Sequence, residues 1–230
     1  MESAEIDEFI ETRKEQTVAS VGDGSLQIRT PVTSWKKMNG HNIVFQRYDY
    51  SCGAGALATM LRFYFEDDVN EALVLETIFK RIAKQKEPKE VLADRIQNGL
   101  SMLDLIYAAR DLGYVAQAAK LPLSKLQKSK APFIVRIEKN QFKHFVVVRG
   151  IREDRVYLAD PIRGNIRLSV ADFMDQRNGP TQRASGQEPA ALFLGKRGFG
   201  NPADHPMRVK NESPVLHELQ AARQMLFPMP

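Results

Sequence analysis

The sequence predicts an α+β domain in which several helices precede a mostly antiparallel sheet. Apolar residues recur at helical spacing from Cys52 to about Gly113, and from Tyr114 onward short runs of strand residues alternate with turns. Helices followed by strands are typical of folds in which the helices pack on an antiparallel sheet. The 230 residues, 43% of them hydrophobic, suffice for one core of ordinary domain size plus extensions.

The helical half contains four predicted segments. The first runs from Cys52 to about Phe65, where Gly53 and Gly55 indicate that a neighbouring backbone comes close. A polar break at 66–68 follows it. The other predictions are a helix at 69–83 with Leu73, Ile78, Phe79 and Ile82 inward, a less regular helix between Pro88 and Ile96, and a helix after Ser101 with Asp104 completing a capping box.

The second half reads as short strands with turns between them. These strands are Tyr114–Ala119, Phe133–Glu138, His144–Gly150, Val156–Asp160, Ile166–Leu168 and Ala191–Leu194. Short helices are expected at 123–128 and after Ser169, whereas 177–189 is polar and rich in turn residues. Ahead of Cys52, Ile43–Phe45 reads as a short strand. The predicted boundaries are an N-terminal extension at 1–34, one domain at 35–197 and a tail at 198–230, with possible helices at 5–14 and 215–225.

Composition excludes several classes of function. The formal charge of +5 is not clustered as in a nucleic-acid-binding arm, and no apolar stretch reaches membrane-spanning length. A single cysteine rules out an internal disulfide framework. No group of ligand residues indicates a metal, and no cofactor is expected. The acidic start, Met1 to Glu8, is not a signal peptide, so the chain is expected to be either cytosolic or a mature exported form with an added Met.

Cys52 is a candidate nucleophile because it lies where a loop becomes a helix. The free N–H groups and the dipole at a helix start favour a negative charge, as a reactive thiolate requires. A lone cysteine is more often a small buried apolar residue, so the position alone does not establish catalysis.

His144 and Asp160 are the candidate base and its orienting group. Each ends an otherwise apolar row of a predicted strand, and a hairpin turning around Arg152 would pair the two directly. A carboxylate there would hold the imidazole and stabilise its charged form. Gln46, six residues before Cys52, can offer its amide to an oxyanion. Each of these residues also has an ordinary structural explanation, but their order Gln, Cys, His, Asp, on loop, helix start, strand start and strand end, is much harder to obtain by chance.

These residues resemble those of the bacteriocin-processing, or double-glycine leader, peptidases, which have a papain-like fold. The resemblance covers about Phe45 to Leu194 and rests on Gln46, Asp49-Tyr50-Ser51-Cys52-Gly53-Ala54-Gly55-Ala56-Leu57-Ala58, His144-Phe145-Val146-Val147-Val148 and Asp160-Pro161. It implies that Cys52 is the nucleophile, His144 the base, Asp160 its partner and Gln46 the oxyanion-hole residue. Many members have Asp before the cysteine where this chain has Ser51, and the Asp-Tyr-Ser-Cys-Gly form resembles the stand-alone, exported branch of Gram-negative bacteria.

The resemblance implies an endopeptidase that cleaves after a small residue, expected to be Gly or Gly-Gly, in an exported protein or leader peptide. Its partners would be that substrate and proteins of a secretion or functional-amyloid system, in the periplasm or beyond. Two alternatives stay open. One is a catalytically silent module that binds a Gly-rich peptide or a secretion partner in the same groove, and the other is a different papain-like reaction, such as transamidation or amide hydrolysis in cell-wall peptides.

Overall fold

The computed structural model describes residues 17–21, 28–32, 39–140, 142–200, 202 and 204–209. The chain forms two compact units, 1–41 and 42–230. In the first unit, strands β1 (Thr17–Val21) and β2 (Ile28–Val32) pair in antiparallel fashion, which the sequence did not predict. The predicted helices at 5–14 and 215–225 lie outside the described residues.

Four helices open the second unit, close to their predicted places. They are α1 (Cys52–Phe63), α2 (Glu71–Ile82), α3 (Pro88–Asn98) and α4 (Met102–Asp111). The capping box predicted at Ser101 is confirmed, since Ser101 and Asp104 each accept a backbone N–H from the other. None of the described helices is long and apolar enough to cross a bilayer.

The buried stripe of α2 differs from its prediction. Ile78 and Ile82 face the core as expected, but Leu73 is an exposed residue. The stripe begins instead at Glu71, which is buried and lies on the same face as the inward apolar residues further along the helix. A carboxylate in this stripe needs hydrogen-bond donors, and the loop before α1 supplies them.

A six-stranded antiparallel sheet forms the second half of the unit. Its strands lie in the order β3-β8-β4-β5-β6-β7. The strands are β3 (Val115–Lys120), β4 (Phe133–Lys139), β5 (Phe142–Arg152), β6 (Arg155–Asp160), β7 (Gly164–Ser169) and β8 (Ala190–Gly195), with helices α5 (Leu123–Leu126), α6 (Val170–Arg177) and α7 (Pro180–Ser185) between them. This confirms the predicted α+β class, although α7 lies in a stretch that the sequence predicted to be irregular.

The sheet separates two apolar cores. On one face Phe145 and Val147 of β5 pack with α1, in a core that also contains residues of α2 and α4. On the other face Val146 and Val148 pack with Phe173 of α6. Both faces of β5 are thus buried, as expected for a central strand, and the sheet is held rigidly between helices.

The predicted strand at Ile43–Phe45 is wrong. This segment is a loop whose backbone bonds to other elements, since the Val44 N–H donates to Oγ1 of Thr59 at 2.9 Å and the Gln46 N–H donates to the carbonyl of Pro161 at 2.9 Å. A side chain of α1 and a turn after β6 therefore take the bonds that a partner strand would supply.

Packing of the second unit continues beyond residue 197. The Phe199 ring lies 5.5 Å from that of Tyr64, and Met207 is fully buried in the core beside α1. Arg149 of β5 donates from Nε to the carbonyl of Met207 at 3.1 Å. The boundaries at 35 and 197 stay a prediction, but Phe199 and Met207 contribute to the core.

Candidate active site

Cys52 is the first residue of α1, as the apolar pattern predicts. The first hydrogen bond of the helix runs from the Gly55 N–H to the Ser51 carbonyl at 3.0 Å, so the Cys52 N–H precedes the helical ladder. The first turn contains no acidic side chain. Cys52 is 5% exposed, so its side chain lies largely out of solvent at the start of the helix.

The two glycines after Cys52 allow the close approach that the sequence predicts. A Cβ at Gly53 would lie 3.0 Å from a Leu105 methyl, and a Cβ at Gly55 would lie 3.0 Å from Cβ of Pro161. The second contact matters for the site because Pro161 follows Asp160. A larger residue at position 55 would push the start of α1 away from the end of β6.

His144 and Asp160 meet at one end of β5 and β6, but not in the predicted register. Arg152 pairs with Arg155 instead of forming the turn, and an irregularity interrupts the ladder after Val148. Continued to the strand ends, this register places His144 two residues beyond the position opposite Asp160. The predicted direct pairing is therefore wrong, yet the side chains bridge the diagonal, with Nε2 of His144 2.8 Å from Oδ1 of Asp160.

Asp160 is fully buried and its carboxylate is saturated with donors. Besides His144, Oδ1 accepts the backbone N–H groups of Ile162 at 2.8 Å and Arg163 at 3.1 Å, and Oδ2 accepts Nε of Arg163 at 2.6 Å. Burial alone would raise the pKa of Asp160, but these bonds and the nearby imidazolium hold that pKa well below its usual range. The group is therefore a carboxylate at neutral pH.

The imidazole of His144 lies between this carboxylate and the thiol. Burial lowers its pKa, but the hydrogen bond and charge of Asp160, followed by the interaction with neighbouring Cys52, raise the pKa of His144 to about 9. Asp160 uses Nε2, and buried Nδ1 has no hydrogen bond of regular geometry to the described residues, so Nδ1 is the nitrogen that is left for the thiol. The surroundings thus favour an imidazolium next to Cys52.

Gln46 lies in the loop before α1, and its backbone is tied to the turn after Asp160 through the carbonyl of Pro161. Its side-chain Nε2 donates to the carbonyl of Tyr48 at 2.9 Å, while Oε1 is buried without a hydrogen-bond partner among the described residues. One proton of the NH₂ group remains for another acceptor. The contact of Gln46 with an oxyanion stays a prediction.

Glu71 supports the same loop from α2, which sequence reasoning missed. Its buried Oε1 accepts the Arg47 N–H at 2.9 Å and the Ser51 hydroxyl at 2.5 Å. Oγ of Ser51 also accepts the Tyr48 N–H at 3.2 Å, so the residue before Cys52 is held from two sides. The sequence feature that could have revealed Glu71 is its helical spacing from Leu75, Ile78 and Ile82, which places an acidic residue within an apolar stripe.

These contacts bring Cys52, His144 and Asp160 into one row, in which His144 and Asp160 are hydrogen-bonded, and place Gln46 in the adjoining loop. In the part of the chain that the structure describes, no three His, Cys, Asp or Glu side chains are grouped as metal ligands. A thiol beside a raised-pKa imidazole and a buried carboxylate can supply a nucleophile and a proton donor to a carbonyl compound. The fold and these groups define a papain-like cysteine peptidase.

Comparison with known proteins places the chain in a family. The model of the Peptidase C39 family matches residues 40–179, and the chain belongs to that family. A crystal structure of the peptidase domain of Streptococcus ComA, a bi-functional ABC transporter involved in quorum sensing, superposes with a TM-score of 0.50 at 21% identity. The match covers 67% of this chain and 98% of that domain, and it confirms the predicted fold.

Two relatives of similar length bear a more specific name. A probable functional amyloid protease, FapD, of Pseudomonas fluorescens is 37% identical over 164 residues, which is 71% of this chain and 69% of that protein. The protein of the same name from Pseudomonas aeruginosa is 31% identical over 156 residues, or 68% and 66% of the two chains. The resemblance inferred from the Cys, His and Asp segments is thereby confirmed at the level of the family.

Proposed function

We propose that this chain is an endopeptidase in which Cys52, His144, Asp160 and Gln46 act together on a peptide bond after a small residue, Gly or Gly-Gly. The observation that carries the proposal is the Cys52–His144–Asp160 row, with an imidazole pKa raised to about 9. A base held beside a thiol in this way is the arrangement that activates a cysteine nucleophile.

The reaction follows from the positions of these groups. The Cys52 thiolate attacks the peptide carbonyl carbon, and the carbonyl oxygen takes the negative charge. The Cys52 N–H and the Gln46 amide are the proposed donors to that oxyanion. When the C–N bond breaks, His144 passes its proton to the leaving amine, which leaves a thioester on Cys52 and a neutral imidazole.

Hydrolysis then restores the starting state. His144, now neutral, accepts a proton from water, and the resulting hydroxide adds to the thioester carbonyl. Breaking the C–S bond releases the acid and returns the thiolate beside an imidazolium. Asp160 keeps its charge throughout and holds the ring by its Nε2 hydrogen bond, so its proposed role is to orient and to stabilise the charged ring.

The proposed substrate is an exported protein or leader of a functional-amyloid system. Support comes from the family and from the two Pseudomonas relatives named as probable functional amyloid proteases. On this basis the chain is proposed to work outside the cytoplasm, with that substrate and other proteins of the system as its partners.

Mass spectrometry tests the proposal directly. Candidate amyloid-system proteins and peptides with an internal Gly-Gly are incubated with the wild type and with Cys52→Ala, and new termini after Gly are expected only with the wild type. A thiol-reactive probe should label Cys52 faster at neutral pH in the wild type than in His144→Ala. Equal labelling of both proteins without any cleavage would favour the silent binding module, and cleavage by Cys52→Ala would refute the mechanism.

A further inference from the structure

A pocket of about 300 Å³ lies beside His144, between the turn joining β4 to β5 and the turn after β6. His144 itself forms part of its wall, together with Phe142 from the start of β5 and Ile162 from the second turn. The reaction proposed above does not use this pocket. Its position next to the proton donor gives it a defined relation to a bound peptide.

The pocket presents apolar surface that the fold leaves uncovered. Phe142 is 50% exposed and Ile162 is 47% exposed, and neither belongs to the two buried cores. The Phe142 ring stacks on the imidazole of His144, with ring centres 5.8 Å apart and planes inclined by 27°. Exposed large apolar side chains that converge on a concavity are typical of ligand contacts.

The chemistry of peptide cleavage says which part of a substrate reaches this place. His144 must donate its proton to the leaving nitrogen, so that nitrogen lies within hydrogen-bond distance of the ring, about 3 Å. The nitrogen belongs to the residue just after the scissile bond, the P1′ residue, whose Cα and Cβ follow by only two bonds. Its side chain therefore lies close to the imidazole, and the Phe142–Ile162 pocket is a concavity that adjoins the same ring.

The polar groups of the pocket limit which P1′ side chains it can accept. Lys139 and Arg163 line it, and none of the described residues that line it is acidic, so a cationic side chain is disfavoured. Gln176 of α6 also lines it; the residue is 7% exposed, and its Oε1 has no hydrogen-bond partner among the described residues. A buried acceptor of this kind suits a backbone N–H of an extended peptide.

We infer that the Phe142–Ile162 pocket is the subsite for the P1′ residue and that it selects an apolar side chain of about the size of leucine. The inference rests on the proposed peptidase function. It adds a preference on the carboxyl side of the cleaved bond, which is separate from the small residue expected before that bond.

The test uses peptides that are identical except for Leu, Gly or Lys at P1′, and the readout is the ratio of their kcat/KM values. For the wild type, Leu should exceed Gly by at least about tenfold, the usual scale for filling an apolar pocket. Phe142→Ala and Ile162→Ala should each lower that ratio several-fold. Val115→Ala is the matched control, since Val115 is an exposed apolar residue on the edge strand β3 and should leave the ratio unchanged.

The ratio of kcat/KM values distinguishes a change in P1′ preference from a general loss of activity. If Phe142→Ala disturbs the stacked imidazole, turnover of all three peptides falls together and the ratio stays, which would overturn the inference as surely as a wild type that ignores P1′. Ile162→Glu adds a gain: cleavage before Lys should rise about tenfold relative to Leu. No cleavage of any peptide by the wild type would instead refute the proposed function itself.

Discussion

Asp160→Asn is expected to move the alkaline limit of activity toward neutral pH. The active form needs a protonated His144, whose pKa is about 9, so kcat/KM of the wild type should fall as pH rises through about 9. A rise from 6.5 to about 9 corresponds to roughly 3 kcal/mol in favour of the imidazolium, despite its burial. Asp160 supplies the largest favourable contribution, followed by Cys52.

Loss of an adjacent opposite charge changes a pKa by about 1–3 units, so the alkaline limb of Asp160→Asn should lie about one to two pH units lower than that of the wild type. The amide can still accept Nε2–H of His144, but its NH₂ group would face Nε–H of Arg163, where the carboxylate accepts at 2.6 Å. We therefore expect a fall in kcat at pH 7 of about tenfold to a hundredfold, still milder than His144→Ala.

The assay is the pH dependence of kcat/KM between pH 5 and about 10, with cleavage of one peptide followed in the wild type and in the variant. Arg163→Ala is the control, since it removes the same ion pair but keeps the carboxylate. Because Arg163→Ala removes a positive charge near the ring, the alkaline limb of its pH profile should stay at about 9 or move slightly higher. An Asp160→Asn limb at the wild-type position would refute the argument.

Stability should show the same linkage. The pKa of His144 is raised in the folded state, so its stabilisation is complete below about 6.5 and is lost as pH rises through about 9. The melting temperature of the wild type should therefore fall between about pH 6.5 and about pH 9. The fall should be smaller in Asp160→Asn. An equal decline in both proteins would mean that another group titrates there.

Three further predictions concern Gln46, Glu71 and the segment after residue 198. Gln46→Ala should lower kcat by about 10²–10³ with little change in melting temperature, as the loss of one oxyanion donor does; a loss that follows unfolding would mark Gln46 as structural. Glu71→Ala removes the acceptor of the Arg47 N–H and one acceptor of the Ser51 hydroxyl, so it should lower stability by about 1–3 kcal/mol and lower kcat as well, whereas Glu71→Gln keeps an acceptor and should recover most of both. Truncation after residue 209 should keep turnover, but truncation after 198 removes Met207 from the core and should lower the melting temperature; equal melting of the two would show that this packing contributes nothing.

The α+β class and the four candidate residues were predictable because they depend on local patterns. Helical spacing, the capping box at Ser101 and the position of Cys52 at a helix start are properties of short stretches of chain. His144 and Asp160 stood out as polar ends of apolar rows, which alternate along a strand regardless of its neighbours. These patterns, together with the family resemblance, led to the prediction of Cys52 as nucleophile, His144 as base and Asp160 as its partner.

Only the tertiary structure decided how these residues meet. The irregular β5–β6 register, which turns a predicted direct pair into a diagonal one, depends on hydrogen bonds between strands and leaves no trace in either strand alone. Glu71 accepts a hydrogen bond from Ser51, and Arg163 donates one to Asp160. Such partners become known only when the donors and acceptors of the folded chain are matched. Residue spacing determines which face a side chain occupies, but the packing of distant elements determines what it touches there.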